Sequence, residues 1–329
     1  MTRLGIYYEI KPFFGHTEWL TFKQSDSKVT KGWLLMTALM RRIAHVVHAR
    51  KFDRVFVHRE ATPIGPPWAE WIVARLLKIE LIYDFDDAIW TTDREGEPVL
   101  EKLVRFRSKV KMICRWSHRV SCGNSFLASY AARFNPHVVI NPTTIDTETW
   151  HNPTLYSRKP SKRLTIGWTG SHSTIKYIRE LLPVFEELII GNRNLRILVI
   201  ADRPPDFGLD LIEFKKWTKE NEIQDLLEID IGVMPLPNNE WTRGKCGFKL
   251  LQYMALGIPS VAAPVGVNVS ILDSSAGILA TTQSEWRLAL TRLIANPESR
   301  EEMGRAGKEK VLTTYSVLAN ERNFLSLFA

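Results

Sequence analysis

Cysteine is scarce in this sequence. Only three cysteines occur among 329 residues, Cys114, Cys122 and Cys246, and their spacing forms no pair. This pattern excludes a disulfide framework and the usual zinc-binding motifs. The eight histidines are scattered and show no ligand spacing such as HExxH. We therefore expect a protein of a reducing compartment such as the cytoplasm, and we expect no bound metal and no tightly bound cofactor.

Long apolar runs are also missing. No segment approaches the roughly 18 apolar residues of a membrane span, and the N-terminus lacks the apolar core of a signal peptide. Hydrophobic residues make up 45% of the chain and charged residues 24%, which is the composition of a globular protein. A chain of 329 residues is too long for one ordinary core, so we expect two domains.

Aspartate and glutamate are fewer than lysine and arginine only in the first half of the chain. Residues 1–160 contain 24 lysines and arginines against 16 acids, whereas residues 161–329 contain 20 of each, so the first half carries the whole net charge of +8. Such a basic region indicates an anionic membrane or a nucleic acid as partner, or it is a solvated face. No nucleic-acid-reading motif accompanies the charge, so we expect no nucleic acid. The amphipathic stretch 32–47 has the composition of an interfacial helix, although a core-packed helix is the favoured interpretation.

Short apolar runs alternate with longer amphipathic ones, which predicts two doubly wound, Rossmann-like α/β domains facing a central cleft. The predicted strands are Leu4–Tyr8, Arg54–His58, Glu80–Phe85, Arg119–Cys122, His137–Ile140, Leu164–Trp168, Leu195–Ala201, Ile229–Met234 and Ala276–Ala280. The predicted helices are Gly32–Ala49, Trp68–Leu77, Glu101–Trp116, Ile175–Ile190, Phe207–Glu220, Gly247–Gly257, Ser284–Ala295, Pro297–Thr313 and one that ends at Phe328. The polar segment Pro153–Lys162 is interpreted as a linker. We expect domains at 1–157 and 158–312, and a C-terminal helix at 313–329 that packs back on the first domain.

The segment that follows Asp230 carries the strongest chemical signal. It reads as a strand, a loop with glycines and lysines, and a helix that ends at Gly257. Lys245 and Lys249 lie four residues apart and are expected in the first turn of that helix. Free amides and two ammonium groups at a helix N-terminus favour an anion such as a diphosphate. Gln252 lies on the same side of the helix and can donate to and accept from ribose hydroxyls.

Two further loops are expected at the same sheet edge. Thr169–Thr174 follows the first strand of the second half, and Gly170 and Ser171 are its candidate phosphate contacts; the alternative is a hydroxyl-rich helix cap. The turn at 264–268 adds amides around Gly266, with Asn268 expected to cap the next helix. Because these loops meet at one edge of a doubly wound sheet, the sequence predicts a diphosphate site there.

Acidic residues end a strand of the first half. Asp84, Asp86 and Asp87 should emerge at the cleft, and the alternative is that they cap a turn. His58, Arg59 and Glu60 end the preceding strand and should lie beside them; a structural ion pair is one interpretation of Arg59.

Segment 230–268 resembles the donor-binding region of family 4 glycosyltransferases, which are retaining enzymes of GT-B architecture that use nucleotide sugars. Segments 52–60, 81–90, 164–174 and 303–316 support the resemblance. It implies transfer of a hexose-type sugar from a nucleotide diphosphate to a glycan or lipid-linked acceptor, as in the synthesis of cell-envelope polysaccharides or glycolipids. It is also compatible with work at the inner face of a membrane.

The resemblance also assigns roles to individual residues. Family members usually carry two carboxylates eight residues apart, and these positions fall on Gly244 and on Gln252, where the ribose is held. Asp86 matches a histidine that touches the donor sugar or acceptor, with Asp87 beside it as a second catalytic candidate and with His58, Arg59 and Glu60 on the acceptor side. Because the nucleotide is placed in the second domain, no metal is required at the aspartates. Ser171 stands at the position of an arginine that grips the diphosphate, and Lys176 lies near that of a lysine. We expect Lys245 and Lys249 to replace those charges.

The missing carboxylates leave two other functions open. One is a catalytically silent protein that binds nucleotide sugars, and the other is a nucleotide-sugar epimerase of the same architecture. A silent protein would bind donors without turnover. An epimerase would release an altered nucleotide sugar without any acceptor.

Overall fold

The computed structural model describes residues 5–94, 96–158, 161–208 and 210–329. Two parallel β-sheets are each packed with helices. The strands are β1 (Arg54–His58), β2 (Glu80–Phe85), β3 (Arg119–Cys122), β4 (Val138–Ile140), β5 (Leu164–Gly170), β6 (Leu195–Ala201), β7 (Ile212–Lys216), β8 (Ile231–Met234), β9 (Ser260–Ala262) and β10 (Gly277–Leu279).

The α-helices follow the same alternation. They are α1 (His16–Gln24), α2 (Lys28–His48), α3 (Trp68–Trp71), α4 (Val99–Arg105), α5 (Lys109–Trp116), α6 (Ser125–Ala132), α7 (Leu182–Gly191), α8 (Glu222–Leu226), α9 (Glu240–Arg243), α10 (Phe248–Ala255), α11 (Asn268–Ile271), α12 (Gln283–Ala295), α13 (Pro297–Lys310) and α14 (Val317–Leu325). Turns of 3-10 helix at Ala49–Lys51, Pro153–Leu155, His172–Leu181 and Ser326–Phe328, and π turns at Ile72–Leu76 and Val311–Tyr315, complete them. In the described part of the chain, no helix is both long and apolar enough to span a bilayer.

The first sheet has four strands in the order β1-β2-β3-β4, all parallel. Its centre is the apolar strand β2, where Leu81, Ile82, Tyr83 and Phe85 are fully buried. Since each strand joins the one before it, the carboxyl ends of β1, β2 and β3 lie side by side at one edge. The strand order does not reverse in this sheet, so it is simpler than the doubly wound arrangement expected from the sequence.

The second sheet has six parallel strands in the order β10-β9-β8-β5-β6-β7. The chain runs outward from β5 to β7 and then returns to place β8 on the other side of β5. Ligands of such sheets bind where the order reverses, because the loops after the two central strands diverge there and leave a crevice. The reversal therefore places the expected loops after β5 and β8 around one crevice, and the prediction of two parallel α/β domains is confirmed.

Helix α10 has the boundaries that its glycines indicated. Gly247 precedes it with a left-handed φ of 72°, and Gly257 follows with a φ of 71°. A side chain at Gly247 would also collide with Ile271, since a Cβ there would lie 2.2 Å from its Cδ1. Lys245 therefore lies before the helix, not in its first turn as predicted, and only Lys249 belongs to that turn.

Several predicted elements were wrong. Segment Phe207–Glu220 contains strand β7 instead of a helix: Ile212 and Phe214 pack towards the core while Glu213 points outward, a two-residue period that pairs with β6. Glu101–Trp116 is broken at Phe106, whose φ is 47°. The predicted strand Leu4–Tyr8 begins outside the described residues, and from residue 5 onward it is not a strand because no neighbour pairs with it.

The C-terminal segment returns to the first domain. Phe324 of α14 and Phe328 after it both lie with ring centroids 6.0 Å from that of Phe56 in β1. The Asn323 side chain donates to the carbonyl of Ile140 at 3.0 Å. A parallel bridge between Ile145 and Ser316 joins the two stretches of chain that pass between the domains.

Candidate functional site

A cleft of about 710 Å³ lies between the two domains at the carboxyl ends of β5 and β8. The first domain contributes few of its lining residues and the second domain most of them. They are Lys23, Asp86, Asp87, Thr143, Thr169, Gly170, Ser171, Thr174, Asp202, Trp217, Glu222, Met234, Lys245, Cys246, Gly247, Phe248, Lys249 and Gln252. The structure thus brings together Asp86, Asp87, Gly170, Ser171, Lys245, Lys249 and Gln252, seven of the residues that the sequence had singled out.

The two lysines reach the cleft in different states. The Lys245 ammonium donates to Asp87 Oδ1 at 2.8 Å, across the domain boundary, and lies 4.6 Å from the centroid of the Trp241 ring. The Lys249 ammonium lies 5.0 Å from the centroid of the Trp168 ring and, among the described residues, forms no ion pair. Lys249 is therefore the cation that remains available to an anion in the cleft.

The surroundings of Lys249 disfavour its charge. Desolvation, and to a smaller extent the nearby charge of Lys245, lower its pKa to about 8, although Asp87 acts in the opposite direction. A partly buried ammonium of this kind gains stability when an anion arrives, because the anion replaces the lost hydration. Gly170 allows this approach: a Cβ there would lie 2.7 Å from Lys249 Cε and 2.6 Å from the Trp168 ring.

The loop before α10, residues 243–247, is held by the first domain. The Asn124 side-chain amide donates to the carbonyls of Gly244 at 3.2 Å and Lys245 at 3.0 Å. The Cys246 thiol contacts the carbonyl of Asp86 at 3.1 Å. Burial raises the pKa of this thiol to about 12, so it is protonated at neutral pH and is not a nucleophile. The loop is therefore fixed against the end of β2.

Gly244 has no space for the carboxylate that the family pattern places there. A Cβ at this position would lie 2.6 Å from the Ala88 Cβ and 2.7 Å from the Ala88 amide nitrogen. The segment Asp86–Ala88 of the first domain occupies that space instead. Its carboxylates are the acidic groups at this end of the cleft.

Arg59, the residue after β1, pairs with the carboxylates of Asp86 and Asp87. Arg59 donates from Nε to Asp86 Oδ1 at 2.7 Å and from its terminal nitrogen to Asp86 Oδ2 and Asp87 Oδ2, each at 2.9 Å. Desolvation would raise the pKa of Asp86, but the hydrogen bonds and charge of Arg59 outweigh it and lower that pKa. Arg59 holds a left-handed backbone, φ 60°, which costs a non-glycine residue about 1 kcal/mol or more. The structural ion pair is thus the arrangement present.

The other expected acceptor-side residues have structural partners. His58 Nδ1 lies 2.7 Å from Asp84 Oδ2, and this hydrogen bond raises the pKa of His58. The Ser121 hydroxyl donates to the second oxygen of Asp84 at 2.6 Å. Glu60 pairs with Lys109 at 2.9 Å. His58 and Arg59 therefore hold the aspartates, Glu60 pairs elsewhere, and none of the three lines the cleft.

The turn after β9 also lies behind the cleft lining. Gly266 has a φ of 57°, and a Cβ there would lie 2.8 Å from the carbonyl oxygen of Arg243. Asn268 is the first residue of α11 and does not cap it, so that prediction was wrong. Its amide donates to the carbonyl of Ala263 at 3.0 Å and closes the turn. Gly266 thus lies against Arg243, where the loop that carries Lys245 begins.

Glu222 is a site residue that the sequence did not reveal. Its carboxylate accepts from the Trp150 indole at 3.0 Å, from the Trp217 indole at 3.2 Å and from the Gln252 amide at 3.1 Å. It takes part in no ion pair among the described residues. The alternation of apolar and polar residues in Ile212–Lys216 could have revealed it. A strand predicted there would have put Trp217 and Glu222 at the same edge of the sheet as the other loops.

Comparison with known proteins bears on the fold and on the second domain. Residues 163–296 match the family model described as Glycosyl transferases group 1. A glycosyltransferase from Rickettsia africae ESF-5 superimposes with a TM-score of 0.67 at 12% identity, covering 96% of this chain and 87% of that one. Sucrose-phosphate synthase from Thermosynechococcus elongatus gives 0.65 at 13% identity, with 90% and 78% coverage. Anabaena HepE, solved with UDP and glucose, gives 0.65 at 14% identity, with 88% and 81% coverage.

No curated protein sequence matches this chain. At such low identities, the structural likeness shows the fold alone. The predicted GT-B architecture, two parallel α/β domains around a cleft, is confirmed.

Proposed function

We propose that this protein transfers a sugar from a nucleoside diphosphate donor to a hydroxyl of a glycan or lipid-linked acceptor, with retention of anomeric configuration; the match of residues 163–296 to the group 1 glycosyl transferase model supports this. One observation carries the proposal. The cleft at the strand-order reversal contains the Lys249 ammonium, which has no ion-pair partner among the described residues, next to the narrow Gly170–Ser171 turn. This is a site for a diphosphate, and the acidic groups of the other domain face it.

The diphosphate is the leaving group in this reaction. When the anomeric C–O bond breaks, its electrons go to the terminal phosphate oxygen, and Lys249 and the amides around Gly170 stabilise that charge. The acceptor oxygen then bonds to the anomeric carbon on the same face. The acceptor proton passes to the departing diphosphate. This course needs no nucleophilic side chain, which agrees with the protonated state of Cys246.

The remaining cleft residues take positioning roles. Asp86 and Asp87 face the developing positive charge of the sugar ring, and Arg59 holds them in place. Lys245 links Asp87 to the donor loop, so it couples closure of the cleft to the formation of the site. No step requires a metal, because cationic side chains provide the positive charge next to the diphosphate.

We assign ribose recognition to Glu222 and Gln252. Gln252 lies three residues beyond Lys249 on α10, and its amide donates to the Glu222 carboxylate. About one helical turn therefore separates the lysine expected to contact the phosphate from the amide that holds Glu222. An ionised carboxylate held by three neutral N–H groups still has free lone pairs, and a vicinal diol can donate to both oxygens. The donor is therefore expected to be a ribonucleotide sugar and not a deoxyribonucleotide sugar.

Replacing Glu222 with glutamine should weaken binding of UDP about tenfold, since a hydrogen bond to a charged group is lost. The variant should also lose the preference for UDP over 2′-deoxy-UDP, because only the ribose has the second hydroxyl. Calorimetric titration of both nucleotides measures this. Glu220→Gln, an exposed neighbour, is the control. Unchanged discrimination in Glu222→Gln would contradict the assignment.

The charge state of Lys249 predicts a pH dependence of UDP binding. Its lowered pKa means that the ammonium loses its proton as pH rises through about 8. Affinity for UDP should then fall about tenfold per pH unit above that value, because only the cationic form attracts the diphosphate. In Lys249→Arg the side chain stays positively charged at these pH values, so the decrease in UDP affinity should disappear. A fall of equal size in both proteins would assign the effect to another group.

The activity itself is tested with purified protein and a panel of UDP, GDP, ADP and TDP sugars. Thermal stabilisation first identifies the donor, since ligands that bind the folded state raise the melting temperature. Release of nucleoside diphosphate is then followed with glycan and lipid-linked acceptors, and NMR of the product gives its anomeric configuration. Binding of a nucleotide sugar without release of nucleoside diphosphate would support the catalytically silent protein. That alternative rests on Gly244 and Gln252, which stand where the family pattern has carboxylates. Acceptor-independent formation of an altered nucleotide sugar would identify an epimerase.

A further inference from the structure

Helix α2 exposes a continuous apolar stripe. Its members recur at alternating spacings of four and three residues, so they lie along one face of the helix. They are Val29, Trp33, Met36, Met40, Ile43 and Val47, with exposed fractions from 48% at Met36 to 83% at Val29. The helix does pack on its domain, through Ala38 and Val46, but this second apolar face is not covered within the described chain. The favoured core-packed interpretation therefore accounts for only one side of α2.

A groove extends the stripe sideways. It has a volume of about 420 Å³ and runs between α2 and the segment after α3. Apart from Arg50 its lining is apolar, including Ile43, Val47 and Leu76. Leu76 is 63% exposed and Trp71, next to it, is 46% exposed. A monomeric surface rarely leaves such a contiguous area uncovered without a partner.

Basic residues dominate the charge around this surface, and the acids that face α2 from other elements include Glu18, which pairs with Arg41, and Glu9, which lies 3.2 Å from His48. Residues 28–48 contain four lysines and arginines and not a single aspartate or glutamate. Arg50 lies in the groove, and Lys51, Arg75 and Lys78 are exposed near its ends. A second copy of the same surface would bring like charges together, which opposes self-association. An anionic surface complements both the apolar stripe and the basic border.

We propose that this face, the α2 stripe with its groove, docks onto an anionic phospholipid membrane. The apolar side chains enter the interface and the basic residues contact lipid phosphates. Helix α1 connects the docking face to the cleft: Glu18 forms a bidentate pair with Arg41 of α2, at 2.8 and 2.6 Å, while Lys23 lines the cleft. Docking would thus hold the cleft near the bilayer, where a lipid-linked acceptor resides.

The proposal does not depend on sugar transfer, so it is tested without donor or acceptor. The full chain is floated with vesicles of phosphatidylcholine alone and with vesicles that also contain phosphatidylglycerol. Binding is expected only to the anionic vesicles, and it should weaken as salt increases. The double variant Trp33→Ser/Met40→Ser should lose at least about tenfold in partitioning. The matched control is Leu288→Ser, an apolar residue of α12 that is 73% exposed.

A second variant separates charge from folding. Arg50→Glu/Lys51→Glu should weaken binding to anionic vesicles by more than about fivefold for each residue changed, with an unaltered melting temperature because both residues are exposed. Equal binding to neutral vesicles would overturn the proposal. So would a wild-type dimer on size exclusion that dissociates in Trp33→Ser/Met40→Ser and binds no vesicles, because the stripe would then be an interface between copies.

Discussion

Replacing Lys249 with methionine is expected to lower kcat/KM for sugar transfer by about 100- to 1,000-fold, the usual effect of removing one group that stabilises a developing negative charge. Methionine keeps the length and the apolar contact with Trp168 but removes the ammonium. The melting temperature of the free protein should stay equal or rise, because a desolvated charge is removed. Steady-state kinetics and thermal unfolding of the same samples measure both effects.

Two comparisons make the result specific to the diphosphate contact. Lys176→Met changes a lysine close to the position where the family resemblance places a diphosphate contact; here it pairs with Asp93 at 2.7 Å and does not line the cleft. Lys111→Met changes an exposed lysine of α5. Both should retain kcat/KM within about tenfold, since neither touches the donor. If Lys176→Met lost as much as Lys249→Met, the diphosphate would be gripped after β5 and not from α10.

Changing Gly244 to alanine is expected to lower kcat at least about tenfold, with a loss of about 1–3 kcal/mol in unfolding free energy. The added methyl would lie 2.6 Å from the Ala88 Cβ. To make room for the methyl group, either the two domains move apart at Ala88 or the loop 243–247 shifts. Both changes would lengthen the Lys245–Asp87 contact. Measurements of kcat and denaturant unfolding test the change.

Gly191→Ala provides the control for this substitution. Gly191 ends α7, and a Cβ there would meet no atom of another part of the described chain within 4 Å. The substitution should leave kcat unchanged. Gly244→Ala with normal kcat and normal stability would show that the closed arrangement around Ala88 is not the active one.

Local chemistry explains which parts of the site the sequence predicted. The boundaries of α10 followed from Gly247 and Gly257, because glycine tolerates the left-handed conformation that begins and ends the helix. The position of Lys249 followed from those boundaries. Gly170 and Ser171 followed from a buried strand that runs into small residues. Each of these inferences needed only neighbouring residues in the chain.

The rest of the site depends on contacts between distant segments. Whether Lys245 would face solvent, donor or Asp87 is decided by how closely the domains approach, which no local pattern encodes. Arg59 shows the same limit, since its partners come from the next strand. Glu222 was missed because charged residues in 207–220 resembled a helical surface, whereas pairing with β6 made Ile212–Lys216 a strand. Tertiary pairing overrode local preference there.

The bridge between Ile145 and Ser316 has a mechanical consequence. Both passages of the chain from one domain to the other run beside each other at this point, so we expect any opening of the cleft to turn about this one place. In such a rotation we expect the C-terminal segment, whose Phe324 and Phe328 lie against Phe56, to move with the first domain. We expect such a rotation to separate Asp87 from Lys245, together with the other contacts across the cleft, and to leave the Asn323–Ile140 hydrogen bond intact, so that the Lys245–Asp87 ion pair forms only in the closed arrangement.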